Sequence, residues 1–262
     1  LFANTNFNQN IANWNVGKVE DMSSMFYQAT SFNQQIGTWA TSNVKFFTEM
    51  FRNATAFNQP IGNWNMGSAI RVDEMFQGAT SFNQPIGQWN VGNVIDMSRM
   101  FEGATEFNQP LNNWNVSKVT NMRAMFNGAT VFDQNLANWD ISSLVSSAYF
   151  DPILGDQPDD TSAIDMFLNS GISSDNYDSL LNGWGTLDVS SGETQINYGI
   201  TLNVDGVQYC NSDVIRNELI NTYGWNILDG GKSTSCIDAD FTNAFITTWE
   251  TTSNNETITI PT

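Results

Sequence analysis

Histidine is missing from this chain, cysteine occurs only twice, and lysine and arginine together number 9 against 27 acidic residues. Each scarcity closes off a chemistry. Without histidine, a catalytic cysteine or serine has no ordinary base, and a transition-metal site loses its commonest ligand. A net charge of −18 with so few basic side chains argues against a nucleic-acid partner, because phosphate binding needs clustered Lys and Arg. No stretch approaches the roughly 18 apolar residues of a membrane span. There is no G-x-S-x-G and no phosphate-binding loop. Adjacent acids such as Asp73-Glu74 and Asp159-Asp160 are ordinary solvated pairs at this level, since glycosidase carboxylates are not recognised by spacing. The expectation is therefore no enzyme and no cofactor, with calcium as the one possible exception. The chain has no initiator Met, nothing at its start reads as a signal peptide, and it opens at Leu1-Phe2 in mid-repeat. It reads as a piece of a longer protein.

What is present is a repeat. Trp14, Trp39, Trp64, Trp89, Trp114 and Trp139 are spaced 25 residues apart. Phe7 to Phe132, Phe26 to Phe126 and Ala29 to Ala129 keep the same period. A fixed period of this size signals stacked repeats that cannot stand singly and bury each other's apolar faces. In FNQPIGQWNVGNVIDMSRMF, residues 82–101, Ile86, Trp89 and Val91 have the L-x-x-L-x-L spacing of a short strand. Val94, Met97, Met100, Phe101 and Ala104 fall on one face of a helix of about three turns, with Asn93 and Asp96 as entry residues and Gly103 at its end. Pro60, Pro85 and Pro110 mark the return turn. The expected fold is thus α/β: a leucine-rich-repeat-type solenoid of 25-residue strand–helix repeats, with a C-terminal cap containing a disulfide. The Trp column reads as core, its competitor being a carbohydrate platform. The Met columns read as gap-filling core, and Asn8, Asn33, Asn58, Asn83 and Asn108 as an amide ladder serving turn backbone.

The period fails after about residue 143. Residues 1–143 carry 7 basic and 10 acidic residues, and the remainder 2 and 17, so the acidity is concentrated in the second part. The division expected is a solenoid over 1–143, a cap over 144–237, and over 238–262 the opening strands of a following module. Within the cap, Tyr177, Leu180, Leu181 and Trp184 fit a helix face, as do Ile215, Leu219, Ile220 and Tyr223, while 194–204 alternates like a strand. The loop holding Asp151, Asp156, Asp159, Asp160 and Asp165 is oxygen-rich enough for calcium, but its spacing is not that of the helix–loop–helix motif, which favours a solvated loop. Cys210 and Cys236 lack further ligands for a metal and a base for catalysis, so they read as a disulfide formed in an oxidising compartment.

FNQPIGQWNVGNVIDMSRMF resembles the repeat of BspA-like leucine-rich-repeat bacterial surface proteins, over residues 1–143. NYDSLLNGW, YC and LINTYGWNILDGG resemble the segment that often closes such arrays. FITTWETTSNNETITIP resembles the start of a PKD-like module. Repeat two departs from the pattern at Ala40, Thr41 and Phe47, and repeat three at Met66 and Ala69. The resemblance implies export, display at the cell surface and adhesion, without implying one ligand.

A solenoid presents a concave sheet, and the positions expected to line it are Asn15, Ala40, Asn65, Asn90, Asn115 and Asp140, flanked by Asn13, Thr38, Asn63, Gln88, Asn113 and Asn138. Amides donate and accept, which suits sugar hydroxyls or peptide backbone. The expected function is a non-enzymatic adhesion module recognising an extracellular glycan or protein, without nucleic acid and without membrane insertion. The alternative is a passive spacer in a larger surface protein.

Overall fold

The computed structural model describes residues 1–145, 163–190, 193 and 195–236, together with the backbone of 246–250 and 257–261. Among these, the only helices are α1 (Ser174–Trp184) and α2 (Asp213–Asn221). The strands are β1 (Thr201–Asn203), β2 (Asn226–Leu228), β3 (Ile246–Glu250) and β4 (Thr257–Pro261). The expected α/β leucine-rich-repeat solenoid of strand–helix repeats is not what the chain forms. None of these elements lies in the 25-residue repeats, whose strand content is a single column of isolated parallel bridges running Asp21, Phe46, Arg71, Asp96, Asn121.

Each repeat is instead a coil of consecutive turns. Where a helix was expected, the amides of Met100, Glu102 and Ala104 close four-residue turns on the carbonyls of Met97, Arg99 and Phe101 at 3.0–3.2 Å. The alternate amides, of Met97, Arg99, Phe101 and Gly103, donate to the next coil, to the carbonyls of Asn121, Arg123, Met125 and Asn127 at 2.7–2.9 Å. A helix would keep these amides to itself. Here half of them join neighbouring coils, so cohesion along the stack replaces cohesion within an element. The geometry needs left-handed residues: Ser24, Glu49, Glu74, Arg99 and Ala124, and then Gln28, Asn53, Gly78, Gly103 and Gly128, all have φ between 51° and 71°. The expected strand Ile86–Val91 is likewise two turns, closed by the amides of Trp89 and Val94 on the carbonyls of Ile86 and Val91. Buried residues recur every three positions through these turns, at Val91, Val94, Met97 and Met100, which is why they counterfeit a helical period.

The core is aromatic. Within a coil two Phe rings stack, as Phe76 on Phe82 at 3.9 Å. Between coils the column Phe26, Phe51, Phe76, Phe101, Phe126 continues at 5.5–5.7 Å. The indoles of Trp39, Trp64, Trp89, Trp114 and Trp139 lie within 5° of parallel, 6.4 Å apart. The departures in repeat two are absorbed. Phe47 is buried, and Thr41, also buried, donates its hydroxyl to the carbonyl of Asn65 at 3.0 Å.

The stack runs on beyond residue 143. Phe167 stacks on Phe126 at 5.6 Å, and the amides of Ala124, Phe126 and Gly128 donate to Ile164, Met166 and Leu168. α1 then takes the place of the returning arc. The Asn ladder, in which each side-chain oxygen accepts the next coil's backbone amide at 3.0 Å, reaches Asp133. That carboxylate accepts from Ser173, amide and hydroxyl, and from the Asn176 side chain at 2.7–2.8 Å. Ser173 in turn caps α1. Tyr177, Leu180, Leu181 and Trp184 form its buried face, as expected.

The end of the stack is covered by residues 195–236. Buried Asn197 donates to the carbonyls of both Ile141 and Leu144 at 2.8 Å. β1 and β2 pair in parallel, Leu202 opposite Ile227, so the alternation in 194–204 yields only a three-residue strand. Buried Asp178 on α1 accepts from the amides of Cys210 and Asn211 and the hydroxyl of Ser212. Cys210 and Cys236 are disulfide-bonded, with Cα atoms 5.4 Å apart. β3 and β4 pair antiparallel, Thr248 opposite Thr259.

Glycine and proline are coupled across coils. A Cβ on Gly37, Gly62 or Gly87 would lie 2.3–2.5 Å from the carbonyl oxygen of Pro60, Pro85 or Pro110. The corresponding pairs without proline carry no glycine: Ala12 with Gln35, and Asn112 with Asn135. Gly62→Ala is therefore expected to cost about 1–3 kcal/mol, the usual size of an overpacking penalty. Adding Pro85→Gln, which recreates the Ala12–Gln35 pairing, should recover part of it. Urea melts of the single and double variants measure this, and a Gly62→Ala protein as stable as the parent would remove the steric explanation.

Candidate functional site

The amide positions singled out from the sequence stand between turns, not on a sheet. Asn13, Asn15, Asn63, Asn65, Gln88, Asn90, Asn113, Asn115 and Asn138 are exposed and Asp140 half-buried. In one column the side-chain oxygen is committed to the coil. Asn15, Asn65 and Asn90 each accept the amide of Gly17, Gly67 or Gly92 two residues on, at 2.9–3.3 Å. Asn115 accepts from the amide and hydroxyl of Ser117, and Asp140 from the amide of Ser142. What remains for a ligand on the Asn side chains is the Nδ2 donor. The row ends in charge: Glu193 lies close enough to Asp140 for that charge and burial to raise its pKa, with burial the larger cause.

A charged face runs along a different arc of each coil. Arg71 reaches Asp73 in its own coil at 2.9 Å and Asp96 in the next at 3.1 Å. Arg52 bridges Glu49 and Glu74, and Arg99 lies 3.7–3.8 Å from Glu102 and Glu74. The acids noted as adjacent, Asp73 and Glu74, are thus committed to different arginines. Burial raises the pKa of Asp96, aided by the Asp73 charge, and burial likewise raises that of Glu74. Acids and arginines alternate there across coils. The arc from the left-handed position 78 to Ile95, by contrast, holds no charged residue at all, nor does 53–70 or 28–42.

Of the acidic loop, Asp151, Asp156, Asp159 and Asp160 lie outside the described residues. Asp165 belongs to the stack: it takes the left-handed position after Ala124, with φ 56°, and accepts from the Asn203 side chain at 2.8 Å. Among the described residues no three His, Cys, Asp or Glu side chains are grouped to hold a metal ion. No described helix is long and apolar enough to cross a membrane.

The Trp column has a second task that the sequence reading missed. Each buried indole donates to a carbonyl of the preceding coil: Trp39 to Ile11, Trp64 to Ile36, Trp89 to Ile61, Trp114 to Ile86 and Trp139 to Leu111, at 3.0–3.2 Å. Trp184 on α1 does the same to Leu136 at 3.1 Å. Only a residue with a donor at the ring edge serves here, and the unbroken use of Trp where Leu would suffice for packing was the available signal.

No curated protein and no solved structure matches the chain. One family does, over residues 1–84 and again over 61–151, so that its two matches together span the 25-residue repeats. The chain belongs to the family described as Mycoplasma protein of unknown function, DUF285.

Proposed function

We propose that this chain is a non-enzymatic binding module of an extracellular or cell-surface protein, and that it recognises a glycan or protein through the amide row centred on Asn65, Asn90 and Asn115. The observation that carries the reading is the segregation of charge. Arginine ion pairs occupy one arc of the coils, while the arc bearing the row is uncharged and amide-rich over 28–42, 53–70 and 78–95, with Glu106 and Lys118 entering it in the coil of Asn115. The resemblance to BspA-like surface proteins and the disulfide support a location outside the cell. Weak contacts repeated from coil to coil would add up along a polymeric ligand.

A passive spacer is the second reading. It is favoured by the Asn oxygens, which serve their own turns. That same fact dictates the test. Alanine would remove the turn bond, whereas aspartate keeps an oxygen for it and exchanges the remaining donor for a charged acceptor, as Asp140 already does. The chain is screened on arrays of glycans and matrix proteins. The triple variant Asn65→Asp, Asn90→Asp, Asn115→Asp should keep its melting temperature and lose at least tenfold in affinity for whatever the parent binds. Unchanged binding by the variant sinks the amide row. No binding by the parent leaves the spacer.

A further inference from the structure

The uncharged arc is not uniform. Its return turn carries Pro60, Pro85 and Pro110 in three successive coils, but Gln35 and Asn10 in the two before them. At that interruption the surface opens into a cleft of about 300 Å³ lined by Asn10, Ala12, Asn33, Gln34, Gln35 and Gln59. This is the lower end of the range of small-ligand sites, roughly 300–1,000 Å³.

We infer that this cleft is a subsite for a single neutral sugar unit of an oligosaccharide. The inference rests on the reading of the chain as a binding module and gives that module a location and a ligand class. Apart from Ala12 its walls are side-chain amides, and those of Asn10, Asn33, Gln34 and Gln59 are half used by the fold and half left over. Asn33 spends its oxygen on the Asn58 amide and the Gln59 side chain, at 3.0 and 2.9 Å. Gln34 and Gln59 spend their nitrogens on Asn8 and Asn33 at 2.9 Å, and Asn10 spends its oxygen on the Ala12 amide at 2.9 Å. The unspent groups are donors on Asn10 and Asn33 and acceptors on Gln34 and Gln59, with both halves of Gln35. Donors and acceptors fixed side by side by a ladder complement vicinal hydroxyls, each of which gives and takes one bond. The ladder holds these side chains in place before a ligand arrives, which lowers the ordering cost of binding. No charged residue lines the cleft, so neither a carboxylated nor a phosphorylated ligand gains there. An extended peptide would look for unpaired strand backbone, and the cleft offers side chains.

The test uses the whole chain, with cellotetraose, maltotetraose and xylotetraose as probes and polygalacturonate fragments as the charged control. Side-chain amide signals are followed by nuclear magnetic resonance. At least one neutral probe should shift the Gln34, Gln35 and Gln59 amides, with binding that is insensitive to salt and stronger than that of the charged control. Gln35→Pro, made together with Ala12→Gly so that proline faces glycine as Pro60 faces Gly37, recreates the Gln-Pro dipeptide of the next three coils and fills the notch. It removes no backbone hydrogen bond found in the structure, and it should weaken binding at least tenfold. Gln35→Ala, which keeps the notch and removes its amide, should weaken it too. In the Asn65, Asn90, Asn115 triple aspartate variant the probe's overall affinity should fall, as the amide row requires, while the Gln34, Gln35 and Gln59 amides still shift at higher probe concentration. If the probe's binding is lost in that triple variant and kept in Gln35→Pro, the amide row is right and the cleft is wrong. If none of the neutral probes shifts the cleft amides at millimolar concentration, or if a neutral peptide binds there more tightly than any of them, the sugar subsite is wrong.

Discussion

Replacing Trp89 by alanine is expected to lower stability by about 3–5 kcal/mol, the range for truncating a large buried aromatic. Trp89 is 3% exposed, sits between the indoles of Trp64 and Trp114 at 6.4 Å, and packs against Phe76. Truncation opens a cavity at the middle of the stack, where no loop can collapse to fill it. It also strips the Ile61 carbonyl of one of its two donors, the other being the Trp64 amide at 3.0 Å. Trp89→Phe separates the two losses. It keeps most of the apolar bulk and removes only the donor, so its cost should fall to roughly 1–3 kcal/mol, the penalty for an under-satisfied buried polar group. Urea titrations of both variants, followed by hydrogen exchange at Ile61 to Trp64 and at Trp114, measure the effect and its spread to neighbouring coils. A sugar platform would need an open ring face, and Trp39 to Trp139 have none, although Trp14, the first of the column, is 41% exposed. An alanine variant that kept the parent's midpoint would overturn the assignment of the Trp column to the core.

The same residues show what could and could not be read from the chain. The 25-residue period, the stacking and the inward columns follow from spacing, and each of Trp89, Phe82, Phe101 and Ala104 is buried as its column requires. The type of local structure does not follow. Val94, Met97, Met100 and Ala104 share a face in a helix and in this run of four-residue turns alike, so periodicity alone leaves the two indistinguishable. The distinguishing signs were weak. Glycine at 78, 103 and 128 sits where φ is positive, but Gln28 and Asn53 hold that position in earlier coils. The continuation of the stack was hidden differently. Met166-Phe167 repeats the dipeptide of Met125-Phe126, and is displaced by 41 residues where 25 was expected. The amide row was read as part of a concave sheet; its residues stand between turns, and their tie to those turns depends on the glycine or serine two residues on. That relation becomes meaningful only once the strand is recognised as a turn. The cleft at Gln35 was legible as a break in the proline column, yet its meaning needed the neighbouring coil.

Reduction of Cys210–Cys236, or its replacement by two serines, is expected to destabilise the covering segment by about 3.5 kcal/mol, the loop-entropy value for a 26-residue closure. The loss should be local. Stacked repeats exchange energy chiefly with their neighbours, and the covering segment meets the rest through few ties. Asn197 binds the Ile141 and Leu144 carbonyls, and Asp178 on α1 accepts from the Cys210 and Asn211 amides and the Ser212 hydroxyl. Asp229, near the end of the loop, accepts from Arg216 on α2 at 2.8–2.9 Å and from Tyr177 on α1 at 2.7 Å. Burial would raise the Asp229 carboxyl, but those bonds and the Gly231 amide outweigh it and hold its pKa low. Opening the loop lets residues 211–235 explore far more conformations when unfolded, and every one of these ties must then be closed against that entropy. The double-serine protein should show lost hydrogen-exchange protection at Leu202, Val204 and Trp225. Protection at Phe76, Phe101 and Met125, deep in the coils, should stay that of the parent. Intact mass after alkylation without reductant should show no labelled thiol in the parent. Two labels there, or a double-serine protein whose covering segment keeps full protection, would mean that the disulfide does not hold this end of the stack.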